Sequence, residues 1–182
     1  MRYIKSVSDH ANTLPLLYHH NPTITGININ MTKLLNDIIG EIDTFVGIIF
    51  SDNNLSEAVS ALQVNENKFT VIIGSDEIMV GAFASGFNTL MGTTLNFLPK
   101  VAQTIHEAVK LGVIKEARES QLLLTNTIYA ICRQGDWIPA MKAAMNLMSP
   151  IFVGPVRGPL VDVWLAKIQK MKAELQQLKV IT

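Results

Sequence analysis

Short apolar runs, each followed by turn residues and then by helical spacing, recur along the first half of this sequence. Leu16-Leu17-Tyr18 is the first run, and later runs occupy residues 45–50, 69–73 and 89–93. Runs of this length that are apolar throughout are typical of strands buried on both faces, which occur in helix-covered parallel sheets. The alternation therefore predicts an α/β fold built from strand–helix units.

Turn and cap residues separate the predicted strands from the helices. We expect a cap within Asn30-Met31-Thr32 for the helix after the first run, and turn and cap residues at Ser51-Asp52-Asn53 before a helix over residues 55–62. Pro99 stands where the first turn of a helix tolerates proline. These signals support helices after the predicted strands.

The β signal fades after residue 100. Helical patterns then recur at residues 101–111, 115–133, 138–148 and 160–178. We assign residues 1–100 to the strand–helix units of a partial barrel, and residues 101–182 to its last helix and a C-terminal helical extension, within a single domain overall. A closed (βα)8 barrel has eight units and typically about 250 residues, so this layout corresponds to about half a barrel.

Composition narrows the class of protein. Apolar residues make up 48% of the 182 residues and charged residues 16%, which favours a folded globular domain over a disordered chain. A formal net charge of zero gives no basic excess for nucleic acid, and no run approaches the roughly 18 apolar residues of a membrane span. With Cys132 as the single cysteine, we expect a cytoplasmic protein that binds neither nucleic acid nor membrane.

Short polar motifs stand at the ends of the predicted strands. They are Tyr18-His19-His20-Asn21-Pro22, Gly47-Ile48-Ile49-Phe50-Ser51-Asp52, Gly74-Ser75-Asp76-Glu77 and Gly92-Thr93-Thr94-Leu95-Asn96, followed in the tail by Gly154-Pro155-Val156-Arg157-Gly158-Pro159-Leu160. In this order they resemble the N-acetylneuraminate lyase branch of the dihydrodipicolinate synthase family, over nearly the whole chain. The resemblance implies the C-terminal half of a (βα)8 TIM barrel, with the first four strands and the motif that binds the substrate carboxylate absent.

The resemblance implies class I aldolase chemistry, the cleavage of N-acetylneuraminate to N-acetylmannosamine and pyruvate. In that chemistry a strand-end lysine forms an imine with the substrate ketone, which only an amine can do. The position of this lysine is Ile49 here, and the position of the family's proton-relaying tyrosine is His19. An imidazole relays protons near neutral pH, but it cannot replace the missing imine.

The same resemblance assigns substrate-binding positions. Gly74, Asp76 and Glu77 match the family's Gly-x-Asp-Glu motif, and Ser51 and Thr93 keep hydroxyl groups at matching positions. Carboxylates and hydroxyls suit a ligand with several hydroxyl groups. Without the carboxylate-binding motif we expect weak binding of sialic acid or a related sugar.

Simpler interpretations remain open beside these. Asp76 and Glu77 are equally explained as helix-capping carboxylates. His19 and His20 are adjacent, so in a strand they point to opposite faces and do not form a metal site. Met141, Met145 and Met148 recur at helical spacing, which a core face explains better than a binding groove. We expect no metal and no cofactor.

Three functional hypotheses follow. The first is a lyase-like protein that has lost its Schiff base and its activity, a pseudoenzyme. The second is an active N-acetylneuraminate lyase represented by a partial sequence. The third is a regulatory or assembly module, because parallel strands with unpaired edges are expected to pair, as a homo-oligomer or with a full-length relative.

Overall fold

Three parallel strands form the sheet in the computed structural model of the protein, which describes all 182 residues except for the side chains of Asn65 and Asn67. The strands are β1 (Leu16–His20), β2 (Phe45–Phe50) and β3 (Thr70–Ile73), in the order β1-β2-β3. Each coincides with a predicted apolar run, so the predicted α/β class with a parallel sheet is confirmed.

The expected strand at residues 89–93 is reduced to a single bridge. Leu90 pairs in parallel with Ile73, and the Ile73 carbonyl accepts a hydrogen bond of 2.9 Å from the Met91 amide. Thr93–Asn96 then forms a 3-10 helix, in which the Asn96 side-chain amide donates to the Thr93 carbonyl at 2.9 Å. The apolar run here is only Leu90-Met91 before a glycine, too short to sustain a ladder, so this prediction was wrong in extent.

Helices follow the strands as expected. The Asn30 side chain accepts a hydrogen bond from the Lys33 amide at 2.8 Å, which confirms the predicted cap. The cap after β2 is Asn54, one residue beyond the predicted turn. The helices of this part are α1 (Arg2–His10), α2 (Pro22–Thr25), α3 (Met31–Ile38), α4 (Leu55–Leu62) and α5 (Met79–Ala84), with 3-10 helices at Val64–Asn67 and Asp76–Ile78.

The core lies on one face of the sheet. Ile48 and Phe50 of β2 are fully buried, as is Ile73 of β3 at 1% exposure, and they belong to one cluster with Leu35 of α3 and Ala61 of α4. Alternation along a strand places these residues on a common face. Each large side chain buried in this way contributes about 1.5–3 kcal/mol.

Glu57 links the beginnings of two helices. One of its carboxylate oxygens accepts a hydrogen bond from the Met31 amide at 2.9 Å, at the start of α3. Its own amide donates to the Asn54 side chain at 3.2 Å, at the start of α4. An acidic side chain therefore satisfies a helix-terminal N–H of the neighbouring unit.

The later part of the chain is helical. Its 3-10 helix Thr93–Asn96 is followed by α6 (Pro99–Lys110), α7 (Ile114–Cys132), α8 (Trp137–Met148) and α9 (Leu165–Gln177), with Pro99 in the first turn of α6 as predicted. The last helix begins at Leu165 rather than at residue 160. The segment before it is irregular, and within it the Asp162 side chain accepts a hydrogen bond from the Val156 amide at 3.0 Å.

The residues group into two compact units, Met1–Met91 and Gly92–Thr182. The first contains the sheet with α1 to α5, and the second contains α6 to α9. Among the described residues, no helix has the length and hydropathy that a membrane-spanning segment needs.

Candidate functional site

Polar residues meet where β1 and β2 end. The His19 Nε2 atom and the Ser51 hydroxyl are 2.8 Å apart and share a hydrogen bond whose direction depends on the histidine tautomer. Ser51 reaches this position because its amide continues the ladder beyond β2, donating to the His20 carbonyl at 2.8 Å. Two residues that the sequence analysis placed in one site are therefore in direct contact.

Gly74 permits a close approach between the strand ends. Its amide donates to the Phe50 carbonyl at 2.8 Å, which holds the end of β3 against the end of β2. A Cβ atom at this position would overlap the Ser51 hydroxyl oxygen. A glycine is thus required here for Ser51 to keep its orientation toward His19.

Ile49 occupies the row of side chains next to this hydrogen bond. In the sheet register it pairs with His19 on β1 and with Ile72 on β3, so the three share the face opposite the core. Ile49 and Ile72 are half-buried and His19 is exposed. We call His19, Ile49 and Ile72 the strand-end row, and the side chain at its centre is therefore aliphatic.

No described lysine of the first unit takes the place of an amine at the strand ends. The Lys5 ammonium lies 3.7 Å from Glu41, and that of Lys33 lies 2.6 Å from Asp37 on the surface of α3. Lys68 precedes the start of β3, the opposite end of that strand. Two of these three lysines are thus engaged in exposed ion pairs, and the third precedes its strand rather than following it.

The two carboxylates after β3 differ in environment. Asp76 is buried, with 7% of its surface exposed, whereas Glu77 points to solvent. Ser75, just before them, donates a hydrogen bond of 2.5 Å to the Asn53 side chain, which ties the loop after β3 to the loop after β2. Glu77 is the one of the two that is open to a ligand from solvent.

Thr93 belongs to the second unit. It is exposed at the start of its 3-10 helix, where it borders a cavity of about 330 Å³. No pattern in the sequence predicted this cavity. Met141 is buried, as a core residue should be, yet it and the half-buried Met145 also line the cavity. Trp137, at the start of α8, was the signal that could have indicated it.

His20 was also not assigned a role from the sequence. It is 1% exposed, whereas His19 is exposed, so the predicted opposite orientation of the two rings is confirmed. Its ring lies 5.1 Å from that of Phe50 between centroids. Burial lowers the pKa of the His20 imidazole, while the charges of Glu57 and Asp52 act in the opposite direction.

Comparisons with known proteins agree with the architecture. An N-acetylneuraminate lyase of Gallus gallus is 32% identical over 177 residues, which are 97% of this chain and 58% of that protein. For the enzyme of Sus scrofa the identity is 30% over 183 residues, 100% of this chain and 57% of that protein. The chain thus spans less than two thirds of the length of these relatives.

A solved structure and a family profile complete the comparison. The N-acetylneuraminate lyase of Aliivibrio salmonicida superposes with a TM-score of 0.92 at 24% identity, over the whole of this chain and 59% of that one. This likeness confirms the predicted fold, that of part of a TIM-barrel aldolase. The profile described as Dihydrodipicolinate synthetase family matches residues 1–178. The resemblance found in the motifs is therefore confirmed, and the chain belongs to the dihydrodipicolinate synthetase family.

Proposed function

We propose that this chain is a lyase-like protein that holds sialic acid or a related sugar without cleaving it. The observation that carries the proposal is Ile49, which stands between His19 and Ile72 at the centre of the strand-end row. Imine formation needs a nucleophilic amine, and an isoleucine side chain has none. This supports the loss of cleavage through a Schiff base at this position.

His19 does not restore the reaction. Its imidazole is exposed and bonded to the Ser51 hydroxyl, so it can donate or accept a proton at the strand ends. Proton relay accelerates cleavage only when an electron sink accepts the electrons of the broken carbon–carbon bond, and the imine is that sink. In this proposal His19 binds ligand hydroxyl groups.

Hydroxyl-rich ligands fit the polar groups that remain. Glu77 offers a solvent-facing carboxylate, and Ser51 and His19 offer a hydroxyl and an imidazole within one hydrogen-bonded pair. Each of these groups accepts or donates hydrogen bonds to sugar hydroxyls. Gly74, Asp76 and Thr93 complete the set that the family resemblance assigns to the ligand.

The test of the chemistry is pyruvate release. The purified chain is incubated with N-acetylneuraminate, with borohydride trapping and intact mass to detect an imine, and the Gallus gallus relative serves as the active control. We expect no turnover and no adduct on folded protein. Turnover with a trapped adduct would refute the proposal and favour the alternative of an active lyase that uses another lysine.

The test of binding is a titration with N-acetylneuraminate followed by NMR. We expect weak, saturable shifts that Glu77→Gln reduces, because the exposed carboxylate loses its charge-assisted hydrogen bonds to the sugar. Glu116→Gln, an exposed carboxylate on α7, is the matched control and should leave the shifts unchanged. Equal effects of the two variants on the NMR shifts would show that Glu77 does not bind the sugar.

Restoring the amine alone is expected to fail. Ile49→Lys places an ammonium group in the strand-end row, but His19 remains at the position of the family's tyrosine. We predict no measurable pyruvate release by this variant. Ile72→Lys, one strand away in the same row, controls for a charge on this face. Release by Ile49→Lys and not by Ile72→Lys would contradict our account of the site.

A second proposal, supported by the exposed sheet face, is assembly with another copy or with a full-length relative. Ile49 and Ile72 are only half-buried on the face opposite the core, and β1 is at the edge of the described sheet. Soluble proteins commonly cover or pair such surfaces. Light scattering should give a monodisperse dimer that Ile72→Asp dissociates, and a monomer at all concentrations would refute self-assembly.

The proposal includes a cytoplasmic location. Cys132 is the single cysteine of the sequence, so the chain contains no internal disulfide that an oxidising compartment would favour. Cell fractionation with an antibody to the chain tests this, and recovery in a secreted fraction would contradict it.

A further inference from the structure

The cavity of the second unit has a character different from that of the strand ends. Its walls include Phe97, Trp137, Ile138, Met141 and Val153, all apolar or aromatic. Its volume of about 330 Å³ is at the lower end of the about 300–1,000 Å³ typical of ligand pockets. A ligand with one ring or a short branched chain suits this space.

One cation stands at this apolar cavity. Of the described side chains that line it, Lys142 is the one that carries a charge, and Thr93 and Asn96 add a hydroxyl and a carboxamide. The Lys142 ammonium donates a hydrogen bond of 2.6 Å to the Pro155 carbonyl. An ammonium group has three donors, so this bond fixes its position and leaves two N–H groups for a ligand.

The cavity wall is held in place before any ligand binds. The Val153 amide donates to the Asn146 side chain at 2.8 Å, and the Lys142 bond to Pro155 fastens the same segment to α8 two residues later. A wall fastened at two points loses little entropy on binding. The site is therefore pre-formed rather than assembled by its ligand.

We propose that this cavity binds a small carboxylic acid whose body is aromatic or branched aliphatic. The apolar walls bury the body, since burial of apolar surface is favourable, and Lys142 pairs with the carboxylate. A polyhydroxylated ligand fits less well, because hydroxyl groups against Trp137 and Met141 would lose their hydrogen bonds to water. This proposal does not rest on the sugar-binding function, whose residues other than Thr93 lie in the first unit.

The test uses ligands that share a body and differ in charge. 3-Phenylpropionate, 3-phenylpropionamide and 3-phenylpropylamine are titrated at pH 7 into the full chain. The sequence contains two tryptophans, and Trp164, 77% exposed and outside the cavity lining, is replaced by phenylalanine so that Trp137 is the fluorescent reporter. We expect the carboxylate to bind about tenfold more tightly than the amide, and the amine least tightly.

Three variants test whether Lys142 causes the preference for the carboxylate ligand. Lys142→Met should abolish the preference for the carboxylate while the Kd of the amide stays unchanged, which also shows that the cavity is intact. Lys142→Arg should retain the preference, and Lys170→Met, an exposed lysine of α9, should leave all the Kd values unchanged. The proposal is overturned if no ligand saturates, if amide and carboxylate bind equally to the parent, or if Lys142→Met keeps the preference. Because N-acetylneuraminate binding is tested separately through Glu77, failure of one proposal is distinguishable from failure of the other.

Discussion

Replacing Gly74 with alanine tests the packing between the strand ends. The new Cβ overlaps the Ser51 hydroxyl oxygen and lies 3.2 Å from Ser51 Cβ and 3.3 Å from its Cα. The two carbon contacts are tight but tolerable, whereas the hydroxyl has to rotate away. Rotation breaks the hydrogen bond between Ser51 and His19.

The size of the effect follows from these contacts. Loss of one hydrogen bond between partly exposed groups costs about 1 kcal/mol. A side chain pushed from its preferred rotamer costs about 0.5–1.5 kcal/mol more, while the lower entropy of alanine in the unfolded chain returns about 0.4–1 kcal/mol. We expect Gly74→Ala to lower the free energy of unfolding by about 1 kcal/mol.

A double-mutant cycle with Ser51→Ala isolates the cause. Without the hydroxyl, alanine at position 74 meets only carbon, so its cost in the Ser51→Ala background should fall to about zero, a coupling of about 1 kcal/mol. Urea unfolding followed by circular dichroism at 222 nm measures all four proteins. Additive effects, within about 0.3–0.5 kcal/mol, would refute the assignment of the overlap to the hydroxyl.

Three further predictions concern stability. Burial is the main cause of the lowered pKa of His20, so the unfolded chain binds the proton more readily than the folded chain. The contribution of neutral His20 to the free energy of unfolding is therefore fully present above the ordinary imidazole pKa of about 6.5 and is lost as the pH drops below it. His20→Phe should flatten this decline between about pH 7 and 5 in urea titrations, and an unchanged slope would exclude His20 as its cause. Phe50→Ala should cost about 3–5 kcal/mol because the ring is fully buried, against less than about 1 kcal/mol for Val46→Ala, 38% exposed on the same strand. Asn54→Ala should lower stability by about 1 kcal/mol through loss of the α4 cap, and a change within error in the urea midpoint would contradict that role.

Local sequence signals were sufficient for most elements of the fold. The apolar run at residues 45–50 became β2 without a shift, and Asn30 capped α3, because both patterns act within a few residues. The run at residues 89–93 failed as a strand because Thr93 begins a 3-10 helix, with Gly92 as its N-cap. Strand length depends on a partner across the sheet, which periodicity alone does not reveal.

The sequence named candidate site residues, but it did not predict the contacts between them. Alternation along β1 correctly placed His19 and His20 on opposite faces. The hydrogen bond between His19 and Ser51, which are 32 residues apart in sequence, depends on the register of two strands, which no local pattern encodes. The cavity beside Trp137 could not be predicted because its walls come from both α8 and the irregular segment that contains Val153. Met141 by itself is typical of a core residue.

The carboxylate of Glu57 has a consequence for engineering. This carboxylate belongs to α4 and accepts the hydrogen bond of the first amide of α3. Consecutive strand–helix units of this protein therefore cannot be exchanged one at a time without loss of a contact. A graft of residues 45–62 into another parallel sheet would separate the Glu57 carboxylate from the α3 amide that donates to it. Exchange between barrels is therefore best made in pairs of units, with the junctions placed before β1 and after α4, so that donor and acceptor move together.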